Sequence, residues 1–153
     1  MPQFLLSLIL SFFIAAPAFA ADMTVYKDPN CGCCSKWVKH MEAAGHSVIT
    51  ANTKDMDSIK AALGVPDQLR SCHTAKVDGY VIEGHVPAAD VERLLSERPE
   101  ARGLAVPGMP TGSPGMEMPG ESPDSYEVIL LMISKVRFSR VIKETVLNVQ
   151  TYY

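Results

Sequence analysis

The dipeptide Asp78-Gly79 constrains the fold of this chain more than any other two residues. It lies between two short apolar-rich runs, Thr74 to Val77 and Tyr80 to Glu83. Asp-Gly supplies the positive-φ positions of a two-residue hairpin turn, so these runs are predicted to be antiparallel strands. The turn also sets register. Val77 faces Tyr80, and stepping outward one residue at a time brings Cys72 opposite His85. Side chains so opposed on one sheet face have Cβ atoms ~4.5–5.5 Å apart. His73 then points to the other face, against Gly84, unless an irregularity at Gly84 exchanges the two histidines.

Glycines and prolines punctuate the rest. Met23 to Tyr26 reads as a first strand, and Ser35 to Ala44 as a helix stopped by Gly45. His46 to Thr50 reads as a second strand. Asn52 and Thr53 are candidate caps for a helix through Met56, Ile59 and Leu63, stopped by Gly64. The hairpin follows, then a helix after Pro87 with Val91, Leu94 and Leu95 on one face, ended by Pro99. This β-α-β-α-β-β-α order is that of a thioredoxin-like α/β fold, whose β-α-β start implies a right-handed crossover. From Gly103 to Asp124 the chain is rich in Gly, Pro and Met, and a loop of that length is usually functional or disordered. Tyr126 to Met132 reads as a further strand. The stretch from 133 to 153 is an atypical tail with neither a hairpin signal nor a clear helical face.

The N-terminus predicts a compartment. Phe4 to Ala16 is almost wholly apolar, and Ala18-Phe19-Ala20 is a small-x-small cleavage pattern. The run is short for a membrane span, which needs ~20 residues. Residues 1–20 are therefore read as a signal peptide, although no Lys or Arg precedes the apolar run, with an uncleaved anchor as the alternative. The domain then spans 21–132, and the expected location is the periplasm, with no membrane attachment after cleavage. A net charge of −3 argues against nucleic acid as a partner.

Four cysteines carry the chemistry. Cys31, Cys33 and Cys34 fall within four residues, where a strand gives way to a helix, and Cys72 stands apart. Adjacent Cys33 and Cys34 are poorly placed to pair with each other, so the triplet is a better active or metal site than a structural staple. A helix N-terminus favours thiolate over thiol, and thiolates are soft ligands and redox nucleophiles. Cys31 and Cys34 form a C-x-x-C pair; Cys33 adds a third sulfur that a dithiol enzyme does not need. Cys72, with His85 as a further ligand, completes the candidate site. Met109, Met116 and Met118 are either soft thioether ligands closing over it or hydrophobic plugs. Trp37 is read as core or site wall, and His40 and His46 as surface residues.

At these motifs the chain resembles a known family. Lys27 to Trp37, Ser71-Cys72-His73-Thr74, Asp78-Gly79-Tyr80, Glu83 to Pro87, and Gly103 to Pro110 with Gly112 to Met116 recur in order in the CopG-type periplasmic copper-resistance proteins, long catalogued as a domain of unknown function. The resemblance covers Met23 to Leu131. It implies a thioredoxin-like fold, copper bound through Cys31, Cys33, Cys34 and Cys72, and a redox role in copper handling. The ending departs from the family pattern, as if the usual last strand were replaced, which would leave Tyr126 to Met132 an exposed edge.

The resulting expectation is a periplasmic protein holding Cu(I) through a cysteine cluster, with copper ions and a periplasmic copper or electron-transfer protein as partners. Two alternatives stay open: a thiol–disulfide or copper oxidoreductase working through Cys31 and Cys34, and a structural zinc module.

Overall fold

Each predicted stop signal acts where it stands. In the computed structural model, which describes residues 21–133 and 150–151, Gly45 and Gly64 take positive φ and end the first two helices. Asp78 and Gly79 take φ of 51° and 90° and close the hairpin. The elements are β1 (Asp22–Lys27), α1 (Gly32–Ala43), β2 (Ser47–Asn52), α2 (Met56–Ala62), β3 (Thr74–Val77), β4 (Tyr80–Glu83), α3 (Ala88–Glu97), β5 (Ala101–Ala105), β6 (Ile129–Met132) and β7 (Gln150–Thr151), with a 3-10 turn at Asp67–Leu69. The β-α-β-α-β-β-α order read from the sequence is the observed one, in a mixed α/β fold.

The strands form one sheet in the order β2-β1-β3-β4-β5-β6-β7. β1 and β2 are parallel, β1 and β3 antiparallel, β3 and β4 antiparallel, and β4 and β5 parallel. The hairpin pairs Val77 with Tyr80 and Thr74 with Glu83, as the turn arithmetic requires. The core joins the sheet to α1 and α3. Trp37 and Met41 of α1 and Val91, Leu94 and Leu95 of α3 are buried against Met23, Val25, Ile82 and Leu104. Full burial of one such side chain stabilises by ~1.5–3 kcal/mol, so these helices are held by packing rather than by intrinsic propensity.

Several boundaries differ from the sequence reading. α1 starts at Gly32 rather than Ser35, because Cys31 itself caps it: Cys31 Sγ accepts from the Cys34 N–H at 3.3 Å. Cys33 and Cys34 therefore belong to the first helical turn, not to the preceding loop. The cap of α2 is Asp55, whose carboxylate accepts from Ser58 N at 3.2 Å; Thr53 instead accepts from Asp55 N. His46 is buried, not on the surface, and its Nδ1 accepts from Ala21 N.

The Gly103–Asp124 stretch also differs. Its first residues belong to β5, which runs between β4 and β6. Gly103 fits there because a Cβ would lie 1.7 Å from Val81 O on the neighbouring strand. The rest is an ordered loop. Ser113 N–H donates to Pro110 O at 3.2 Å, Gly112 N–H to Met116 O at 3.0 Å, and Thr111 N–H to the Asp124 carboxylate at 2.8 Å. The last predicted strand begins only at Ile129, while Tyr126 packs half-buried against the core. Nor is that strand an exposed edge: β7 pairs with β6, Thr151 opposite Ile129. The signal-peptide reading of 1–20 and most of the tail lie outside the described residues.

Candidate metal centre

Two segments build the site. The first is the turn from β1 into α1. Asp28 accepts from Asn30 N at 2.7 Å through its side chain and from Cys31 N at 3.0 Å through its carbonyl. This fixes Cys31 at the helix cap, while the helical turn carries Cys34 inward to full burial and leaves Cys33 half-buried. The second segment is the entry to β3, carrying Cys72 and His73. β1 and β3 are neighbours, Tyr26 opposite Thr74, so the ends of the two segments meet.

The four sulfurs all lie within 4.8 Å of one another. Cys31 and Cys34 are joined as a disulfide with Cα atoms 5.4 Å apart. Cys33 and Cys72 are free thiols, with Cys33 Sγ 3.5 Å from Cys31 Sγ and 3.9 Å from Cys72 Sγ. In this state the centre is half oxidised: one bonded pair, and two thiols beside it.

Cys72 also faces two imidazoles. His85 Nε2 is 3.0 Å from its sulfur and His73 Nδ1 is 3.3 Å away. His85 is where the hairpin register puts it. His73, assigned to the opposite face by strict alternation, is the residue that the sequence reading missed. β3 begins only at Thr74, and Gly84 opposite turns to φ 73°, so alternation no longer governs residues 72 and 73. His73 is fully buried between Trp37, whose ring centroid is 4.5 Å away, and His85, 5.0 Å away. Trp37 is thus both core and site wall; its indole N–H donates to Val86 O at 2.8 Å.

Burial shapes the charge states. It pushes the Cys72 thiol up to about 12, helped by the neighbouring Cys33 sulfur. Burial also holds His73 well below its ordinary value, with His85, Lys60 and Lys27 adding like charge. Burial lowers His85 too, opposed by Pro114 O and by Glu117. In the metal-free state the centre therefore contains neutral imidazoles and a protonated Cys72.

The long loop covers one side. Gly115 packs so closely that a Cβ would meet Cys33 O at 2.7 Å and Trp37 N at 2.8 Å. Glu117 accepts from Gly115 N at 3.0 Å through both oxygens and pairs with His40 at 2.7 Å. Of the methionines, Met116 is half-buried beside Gly115, whereas Met109 and Met118 are 54% and 53% exposed.

This geometry has counterparts. The sequence profile of a family described as "Protein of unknown function, DUF411" matches residues 69–116, which hold Cys72, both site histidines and Met116. A solved structure of a copper resistance protein CopG, in a form designated Form 2, superposes with a TM-score of 0.71 at 50% identity, over 75% of this chain and 91% of that one. Its Form 1 gives 0.69 at 50% identity, over 74% and 89%. The chain belongs to the CopG family. No curated protein sequence matches it. As a CopG-family member it carries a cysteine cluster able to hold a metal ion. No helix among its described residues is long and apolar enough to cross a membrane.

Proposed function

We propose that this CopG-family protein is an exported, periplasmic Cu(I)-binding protein of thioredoxin-like fold. Cys31, Cys33, Cys34 and Cys72 would hold the copper once the Cys31–Cys34 bond is reduced. The observation that carries this reading is the mutual approach of four sulfurs within 4.8 Å, three from the start of α1 and the fourth, Cys72, 3.9 Å from Cys33. Thiolates select Cu(I) over harder cations, and neutral imidazole is a compatible neighbour. His85 stands at the same sulfur and is the next candidate ligand; Met116 is the best placed of the three methionines, the other two being exposed.

A second reading has its own support. The Cys31–Cys34 disulfide sits at a helix N-terminus, where the first helical N–H groups favour a thiolate. Two electrons from a donor would open it to two thiolates, so metal loading and redox change would share these atoms. A copper or thiol–disulfide oxidoreductase is therefore the alternative, and structural zinc the third.

The deciding experiment is metal analysis of protein reduced and purified anaerobically. Copper retained with stoichiometry tracking the cysteines is expected. Zinc alone would favour the structural module; no metal, with a reversible Cys31–Cys34 couple, would favour the dithiol enzyme.

A further inference from the structure

Behind the cysteine site lies a group of charges for which the centre described so far has no use. Lys60 of α2 is 4% exposed and Glu83 of β4 is 0% exposed, and they pair at 2.5 Å. Glu83 Oε1 also accepts from the backbone N–H of Ser71 at 2.7 Å, and its Oε2 accepts from the Thr74 hydroxyl at 2.6 Å. Lys60 Nζ donates a second bond to Thr74 Oγ1 at 3.0 Å. The Ser71 and Thr74 contacts hold the entry to β3 at both ends. Ser71 and Thr74 bracket Cys72 and His73 in the chain, and Glu83 is two residues from His85.

A buried ion pair is a poor way to gain stability. Desolvating both charges offsets most of their attraction, and apolar residues of similar volume often serve as well or better. What the carboxylate adds is direction: it fixes one backbone N–H and one hydroxyl on either side of the thiol. The other face of Ser71 is held as well. Its hydroxyl donates to Gly108 O, Gly108 N–H donates to Arg70 O at 3.2 Å, and a Cβ on Gly84 would strike Ser71 Oγ at 2.6 Å. The segment carrying Cys72 thus lies between the carboxylate and the long loop.

We propose that Lys60, Glu83 and Thr74 are positioning residues that set where the Cys72 thiol stands relative to Cys33 and His85. None of these three side chains touches a sulfur, whereas the hydroxyl of Ser71, whose backbone Glu83 holds, is 3.9 Å from Cys72 Sγ. The network acts by immobilising the backbone on both sides of Cys72, which keeps the sulfur 3.9 Å from Cys33 and 3.0 Å from His85. The placement concerns the centre proposed above, but it is measurable without any metal and so stands or falls separately from copper binding.

The test uses the full chain without reductant. Cys31 and Cys34 then stay paired, and Cys33 and Cys72 are the two free thiols. Dibromobimane fluoresces only when one molecule bridges two nearby thiols, so its bridging rate reads their separation. In Glu83→Gln the volume is unchanged, but the charge that holds Lys60 is gone and the Thr74 hydroxyl, which can turn to accept from the amide, no longer donates to a carboxylate. In Lys60→Met/Glu83→Met both charges go and the space stays filled. Bridging should slow about tenfold in each, the population equivalent of losing one charged hydrogen bond, while far-UV circular dichroism stays native. Leu94→Ala, which weakens the core away from the site, should keep the wild-type rate. An unchanged rate in either folded variant overturns the proposal. So does an equal slowing in Leu94→Ala, and so does loss of fold in both charge variants, which would assign the pair to stability alone.

Discussion

Cys72 Sγ lies 3.0 Å from His85 Nε2, and the other ring nitrogen of His85 lies 2.8 Å from Pro114 O. A carbonyl only accepts, so His85 Nδ1 carries the proton and Nε2 turns its lone pair toward the sulfur. This is how a metal-ligating imidazole is commonly oriented, with a carbonyl fixing its tautomer. The loop that supplies Pro114 is the same one that packs on Cys33, so it shapes both halves of the centre.

Cys72 should be a slow nucleophile in the metal-free protein. Its thiol is pushed from 9.0 to about 12, chiefly by burial. Only the thiolate alkylates. Peptide mass mapping after iodoacetamide treatment across a pH series should show Cys72 labelled far more slowly than a free cysteine at pH 8. Its rate should rise steeply only toward pH 12. Labelling of Cys72 with the profile of an ordinary thiol would contradict the burial argument.

Acid should destabilise the fold through its histidines. His73 and His85 are held neutral below their ordinary 6.5. Between the folded and unfolded values, the unfolded chain binds protons that the native state does not. Stability is therefore complete above about pH 6.5 and falls as pH drops below it. Thermal melts should show this decline, and His73→Phe, which keeps a ring against Trp37, should flatten it.

Loss of one sulfur should be felt by the whole cluster. Cys33→Ser should weaken Cu(I) binding as much as Cys31→Ser or Cys34→Ser. The loss should be at least the ~10–100-fold that removing an outer-sphere partner typically costs. Competition with a Cu(I) chelator measures it. Unchanged affinity in Cys33→Ser would favour the dithiol-enzyme reading.

Gly115→Ala should lift the loop. The added methyl would meet Cys33 O at 2.7 Å, at a residue with φ 88°. A side chain in an incompatible backbone conformation costs more than ~1 kcal/mol. A lower melting temperature together with faster Cys33 alkylation is expected. Gly108→Ala, also at positive φ but with open space around it, should lower stability without changing Cys33.

Much of the order of elements was legible because it is local. Gly45, Gly64, Asp78-Gly79 and Pro87 act on their own backbone, and the hairpin register follows from the turn alone. What was illegible is what neighbours decide. Ala101-Arg102-Gly103 carries little strand propensity, and only the close approach of Val81 shows why a glycine belongs there. Lys60 and Glu83 look like surface charges in the sequence; tertiary packing buries them together. The same holds for His46, and for His73, whose side chain escapes the alternation that placed His85 correctly. In the candidate site, spacing alone singled out the triplet, the turn placed Cys72 by His85, and the C-x-x-C spacing marked Cys31 and Cys34, the two that are bonded.

Removing the chain after Met132 should uncover β6. Its outer neighbour is β7, Gln150 opposite Leu130, and a bare edge invites pairing with another chain. Truncated protein should keep its Cu(I) affinity, melt only modestly lower, and show more self-association by light scattering. A large loss of copper binding would place the tail under the cysteine turn.

Cys33 and Cys72 are 39 positions apart in the chain yet 3.9 Å apart in space. The triplet is a local feature that an unfolded chain presents just as well. The fourth sulfur arrives only when β1 and β3 lie side by side. Any ion held by all four is consequently coupled to folding itself: it binds the native state over the unfolded one and holds the first and third strands together. Loading such a centre would clamp the sheet at the joint where its N-terminal β-α-β unit meets the hairpin, and emptying it would release that clamp.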